Sequence, residues 1–235
     1  TKDTYKAKYF AKILKRKIVR KVLFISVHGD DETLGCGGTI LKHKKSGDDI
    51  FWLIVTEPKN SGRKEIRRKE IERVSIEYGF KKIYNLNIPS TKLDLTPTAK
   101  LIEEISDIVN SVKPEILYLP NRTDVHTDHQ IAFKAVYSCT KSFRYPFIRR
   151  VLMYETLSET EFAPPLPENT FMPNVFIDIT EFFEKKREIL QLYKGEVMEP
   201  PYPRSLETLE ALAKLRGSRI GVKYAECFQL IFERI

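Results

Sequence analysis

Val22-Leu23-Phe24-Ile25-Ser26-Val27-His28-Gly29-Asp30-Asp31-Glu32 is the stretch whose reading decides the fold. Its apolar, β-branched first half has the make-up of a strand buried on both faces, as a parallel sheet requires. The run stops at His28. One imidazole and three carboxylates then precede residues 33–41, which resume in a form compatible with helix. In an open parallel sheet, ligands bind in the crevice beyond the carboxyl ends of the strands. Acidic residues are also ordinary at a helix start, as caps and as partners of the positive dipole end. A second cluster tips the balance toward chemistry. Asp124-Val125-His126-Thr127-Asp128-His129 follows another apolar run, residues 116–119, across a Pro120-Asn121-Arg122-Thr123 turn. The chain has four histidines, and three of them stand in these two strand-end segments.

Outward from these segments, strand-like and helix-like stretches alternate. Strands are predicted over residues 22–27, 50–55, 82–86, 116–119, 150–154 and 175–179, with a closing edge strand over 224–232. Helices are predicted from the first cluster to 45, then over 63–78, 98–112, 129–140, 180–193 and 206–216. This rhythm predicts an α/β domain with a mostly parallel sheet and helices on both faces. Right-handed crossovers place the ends of strands 22–27 and 116–119 on the same side. Residues 1–20 read as a basic N-terminal extension, expected to be a peripheral helix, and residues 21–235 as one domain.

With 235 residues and 42% hydrophobic content the chain can bury a real core. No apolar run approaches the ~20 residues of a membrane span, and no signal-peptide core is seen, so a cytoplasmic location is expected. Three widely spaced cysteines, Cys36, Cys139 and Cys227, argue against a disulfide framework; Cys36 reads as a small buried hydrophobe. The net charge of +8 is concentrated at the front of the chain. It could meet nucleic acid or an anionic surface, but no recognised motif accompanies it, so nucleic acid is not an expected partner. His43, among lysines, is expected to be exposed.

His28 and Asp31 are three apart, as are His126 and His129, so one turn can aim both members of a pair inward. Two imidazoles and a carboxylate with an open fourth position make a catalytic zinc environment. Such an ion makes a water nucleophilic near neutral pH and polarises a carbonyl. Asp30 suits the task of taking the proton of that water, and a remaining imidazole can face an oxyanion. Spacing alone leaves open which histidine does which job.

These residues resemble the LmbE-like, or PIG-L, family of zinc-dependent N-deacetylases. His28-Gly29-Asp30-Asp31-Glu32 is similar to the family's His-Pro-Asp-Asp-Glu motif, with glycine where proline is usual, and His126-Thr127-Asp128-His129 to its His-x-Asp-His motif. Gly37-Gly38, Arg67-Arg68-Lys69-Glu70, Asp178-Ile179-Thr180 and Gly221 to Glu226 also look familial. The resemblance implies a Rossmann-like fold, with zinc (or another divalent ion) on His28, Asp31 and His129. It implies Asp30 as general base, His126 as oxyanion stabiliser and Asp128 orienting that imidazole. It offers Arg67, Arg68 and Asp94 as substrate contacts. Gly29 is expected to leave the turn less pre-organised than proline. Glu32 reads as a helix-start anchor, and Tyr224 and Glu226 as either site lining or packing.

The implied activity is removal of the acetyl group from an N-acetylated amino-sugar conjugate of the N-acetylglucosamine type, by metal-activated water with an Asp base. The alternatives are the same centre acting on another small N-acyl amide, or a non-catalytic basic binding protein. Homo-oligomerisation is left open.

Overall fold

The computed structural model describes residues 19–235. Of the extension expected to be a peripheral helix, only Val19 and Arg20 are described, and these two form no helix. β1 (Lys21–Ser26) is an internal strand of a seven-stranded sheet. It pairs in parallel with β2 (Asp49–Glu57) on one side and β4 (Ile116–Pro120) on the other. β3 (Lys82–Pro89) extends the sheet beyond β2, and β5 (Arg150–Tyr154) beyond β4. β6 (Val175–Asp178) forms the far edge, and β7 (Ala225–Glu233) enters antiparallel between β5 and β6. The last strand is therefore internal, not the edge expected for residues 224–232. Chain order does not set place in a sheet; here long-range pairing on both sides does.

The helices α1 (Asp31–Ser46), α2 (Ser61–Tyr78), α3 (Thr98–Val112), α4 (Thr127–Ser138), α5 (Phe183–Leu190) and α6 (Leu206–Ser218) cover both faces. Side chains alternate along β1, which divides the core in two. Val22 and Phe24 pack with Ile40, Val74, Ile189 and Leu209 on the face of α1, α2, α5 and α6. Leu23 and Ile25 pack with Ile105, Val109, Ala132 and Val136 on the face of α3 and α4. Asn60 caps α2, accepting from the N–H groups of Gly62 and Arg63. Gly35 and Gly38 let α1 ride close to its neighbours: a Cβ at Gly35 lies 2.3 Å from the Tyr154 ring, and one at Gly38 2.6 Å from Ile179.

The chain runs β1 to β2 to β3 in one direction, then crosses back to β4 and β5 on the other side of β1. The order reverses between β1 and β4, and a crevice opens there beyond their carboxyl ends. Both histidine clusters leave the sheet at that point.

Three further expectations meet the structure. His43 is buried, not exposed: its Nδ1 lies 2.7 Å from Asp48 Oδ2 and its Nε2 3.0 Å from the Tyr118 hydroxyl. Its lysine neighbours face outward while the helix turns it toward β4. Glu226 packs rather than lining the site, accepting from the N–H groups of Gly38 and Thr39 and from Lys186 Nζ. Tyr224 stacks on Phe183. Among the described residues, no helix is long and apolar enough to cross a membrane.

Candidate metal centre

The turn after β1 is held by its own acids. Asp31, the first residue of α1, folds its carboxylate back onto the strand end, where Oδ2 accepts the N–H groups of Val27 (3.0 Å) and His28 (2.8 Å). Arg67 Nη1 donates to the Gly29 carbonyl oxygen at 2.9 Å. These three bonds supply the pre-organisation that a proline at position 29 provides covalently. Across the crevice, His126 caps α4, its Nδ1 accepting the N–H of Asp128 at 3.1 Å. His129 then falls inside the first turn of α4. Asp124 Oδ2 lies 2.9 Å from His129 Nδ1, while Asn121 and Thr160 donate to Asp124 Oδ1.

His129 Nε2 therefore faces β1, 3.3 Å from His28 Nδ1 and 3.4 Å from Asp31 Oδ2. His28 Nδ1 lies 3.7 Å from the same carboxylate oxygen. Ligands about 2.0–2.1 Å from a tetrahedral ion stand roughly 3.3–3.4 Å apart, so this triangle matches one cation at its centre. The donor chemistry agrees. With Nδ1 of His129 bonded to Asp124, two imidazole lone pairs and a carboxylate converge, and Asp31 Oδ1 is buried with no hydrogen-bond partner. A second arrangement shares His28 and adds His126 and Asp128. There Asp128 Oδ2 accepts the Thr91 N–H at 2.6 Å, His126 Nδ1 is the helix cap, and Asp128 Oδ1 is likewise buried with no hydrogen-bond partner.

The electrostatics call for positive charge. Burial lowers the pKa of His129, but Asp31 and Asp124 outweigh it and raise the imidazole to about 9. Burial raises Asp31, yet His129, His28 and the His28 N–H carry it below the usual carboxylate range. Beside it, Asp30 is pushed up, chiefly by burial and with help from Asp31, against the pull of Arg204. Glu32, buried behind the turn, accepts from Tyr193 and Thr33, and burial lifts it to about 8. It is an anchor, as expected.

His28, Asp30 and His126 line a cavity of about 280 Å³, with Arg67, Glu57 and Ser90 also in its wall. Arg67 is buried and committed to Gly29, Glu70 and Glu196. The structure does not bring Arg68 or Asp94 to this cavity. Arg68 is exposed beside Glu65 and lines a neighbouring pocket that shares Thr56, Glu57, Pro58 and Arg67 with the cavity, and Asp94 is exposed on the short helical turn Leu93–Leu95. Asp128 also departs from its expected part. It reaches His126 through its backbone N–H, whereas its carboxylate holds Thr91 and stands 3.7 Å from His28 Nε2.

Sequence reading missed Glu159, Glu196 and Arg204, which close the cavity from the carboxyl-terminal third. Arg204 donates to Asp30 Oδ2 at 2.8 Å and pairs with Glu159 and Glu196 at 3.2 Å each. Nothing in Pro200-Pro201-Tyr202-Pro203-Arg204 marks it. Asp124 belongs to the second cluster, and its spacing of five from His129 is the available signal.

Known proteins align with both the fold and these segments. The family model for PIG-L, GlcNAc-PI de-N-acetylase, matches residues 23–140. Diacetylchitobiose deacetylase of Thermococcus kodakarensis is 28% identical over 225 residues, covering 91% of this chain and 84% of that protein. The structure of N,N'-diacetylchitobiose deacetylase from Pyrococcus horikoshii superposes with a TM-score of 0.72 at 24% identity, over 96% of this chain and 92% of that one. The 4-carboxy-2-hydroxymuconate hydratase of Pseudomonas putida superposes with a TM-score of 0.73 at 19% identity, over 92% and 98%. A shared fold thus spans more than one chemistry, and function has to be argued from the site.

Proposed function

The chain belongs to the PIG-L (LmbE-like) family, and from that premise we propose that it hydrolyses the acetamide of an N-acetylglucosamine-type conjugate, releasing acetate and the free amine. The observation that carries the reading is the convergence of His28, Asp31 and His129 on one cation-sized gap, with Asp30 and His126 facing the adjoining cavity. Zinc suits two imidazoles and a carboxylate, with another divalent ion as the alternative. Such an ion supplies Lewis acidity, making a water nucleophilic near neutral pH and polarising the acetamide carbonyl.

The chain's own groups do the rest. Asp124 holds His129 in the tautomer whose Nε2 lone pair points at the gap. Asp30, held by Arg204 at Oδ2, takes the proton of the attacking water and returns it to the departing nitrogen. His126 accepts the Asp128 N–H at Nδ1, so its neutral form carries the proton on Nε2 and presents a donor to the oxyanion. Burial favours that neutral form by lowering its pKa. The wall of charged and hydroxyl side chains fits a sugar's hydroxyl groups. The three free, buried cysteines suit a reducing compartment, which favours the cytoplasm.

The test is acetate release from N,N'-diacetylchitobiose and from a panel of other small N-acyl amides. Chelation is expected to stop it and added zinc to restore it. Asp30→Ala is expected to keep the metal and lose turnover by about 10²–10⁴-fold. Full activity in that variant, or acetate release that survives chelation, sinks the assignment.

A further inference from the structure

We propose that Arg204 is the positioning residue for the catalytic base, fixing which oxygen of Asp30 faces the substrate. The inference rests on the deacetylase reading. It comes from a residue 174 positions away in sequence and outside the segment that matches the family model.

Asp30 occupies the cap position of α1, but its side chain makes no capping bond to that helix. The ordinary device that orients an Asp at a helix start is therefore missing. Arg204 takes its place. Its Nη1 donates to Asp30 Oδ2 at 2.8 Å, and it is the only side chain among the described residues that hydrogen-bonds to this carboxylate. The terminal torsion of an Asp is broad and two-fold, so an untethered carboxylate samples many orientations. A charge-assisted bond on Oδ2 narrows that range and leaves Oδ1 for the proton that moves. The guanidinium also compensates a negative charge that is 98% removed from solvent, Asp30 being 2% exposed.

Arg204 is itself held on several sides, as a positioning group has to be. Its Nε donates to Ser158 Oγ at 2.6 Å, its Nη2 to Glu159 at 3.2 Å, and its Nη1 also to Glu196 at 3.2 Å. Ser158 lies in the left-handed region at φ 71°, which costs a non-glycine residue backbone energy. That strained turn presents Ser158 and Glu159 to the arginine together. The loop between α5 and α6 thereby reaches the turn after β1 through Arg204 as well as through Tyr193, which donates to Glu32.

Three variants in the full chain test this against a merely structural clamp. Arg204→Met is expected to lower kcat by about 10–100-fold, with KM within about threefold and metal content unchanged, because a displaced base slows the step without weakening binding. Arg204→Lys keeps the charge but not the fork and is expected to recover part of that loss. In Arg204→Ala, guanidinium ion at low millimolar concentration is expected to restore turnover saturably. The same ion is expected to do nothing to the wild type or to Asp30→Asn. The proposal is overturned if Arg204→Met keeps kcat within twofold, if KM rather than kcat absorbs the change, or if guanidinium leaves Arg204→Ala unmoved while Arg204→Lys is folded and fully active. A wild type that releases no acetate from any substrate removes the deacetylase reading, and this inference with it.

Discussion

Two buried His–Asp pairs, each five residues apart in sequence, occupy different parts of this sheet and do different things. Near the amino end of β1, His43 Nδ1 meets Asp48 Oδ2 at 2.7 Å. At the carboxyl ends, His129 Nδ1 meets Asp124 Oδ2 at 2.9 Å. The first pair is closed: Tyr118 takes His43 Nε2, and Arg20 takes Asp48 at 2.7 Å. In the second, Nε2 of His129 looks onto another imidazole and a carboxylate, 3.3 and 3.4 Å away, so acceptors outnumber donors. Burial lowers the pKa of His43, whereas the flanking carboxylates overcome burial and lift His129 to about 9. The lesson is that a His–Asp pair is not in itself a site. What the second ring nitrogen meets decides whether it is a strut or a ligand.

The largest effect that can break this contrast is loss of the metal. His129→Ala is expected to reduce bound divalent metal, measured by elemental analysis, to a trace and to cost more than about 10³-fold in turnover. His43→Phe is expected to leave both within about twofold. Equal metal loss in the two variants abolishes the distinction. A smaller effect sharpens it: Asp124→Asn leaves His129 in place but weakens its tether, so metal affinity is expected to fall about 10–100-fold by competition with a chelator. Unchanged affinity removes Asp124 from the account.

The smallest expected effect is on stability. His43→Phe leaves the Tyr118 hydroxyl without its buried partner, and urea unfolding is expected to show a loss of about 1–3 kcal/mol. The pH dependence has a definite sign. The folded pKa of His43 lies below its ordinary value of 6.5, so the unfolded chain binds the proton first as pH falls. Its contribution is full above about pH 6.5 and is lost progressively below it, down to the folded value. The variant is expected to flatten that part of the profile; a profile matching the wild type assigns the slope elsewhere.

The contrast also marks what was legible in the residues. Both pairs are local in sequence, yet neither is legible as a pair: the motif marks His129 without its partner Asp124, and His43 stands among lysines that suggest an exposed face. The clustering of His28, Asp31, His126 and His129 was legible because strand ends and helix starts are short-range features, whereas the choice of His28, Asp31 and His129 as ligands and of Asp30 as base came only from the resemblance. Arg68 and Asp94 were named by resemblance; helix rotation sets Arg68 in the neighbouring pocket rather than in the cavity, and a surface turn leaves Asp94 exposed. The internal place of β7 was invisible for a related reason: a strand's neighbours are chosen by distant segments.

By itself, the sequence determined the alternation of strand and helix, the two clusters of imidazole and carboxylate, and the family. Each depends on contacts within a few residues or on a motif read directly. Only the tertiary structure decided that Arg204 meets Asp30, that Glu159 and Glu196 close the cavity wall, and that Asp128 serves Thr91 and His28 rather than orienting His126 with its carboxylate. Those contacts join loops far apart along the chain, and no local periodicity records where a loop lands once the core has packed beneath it.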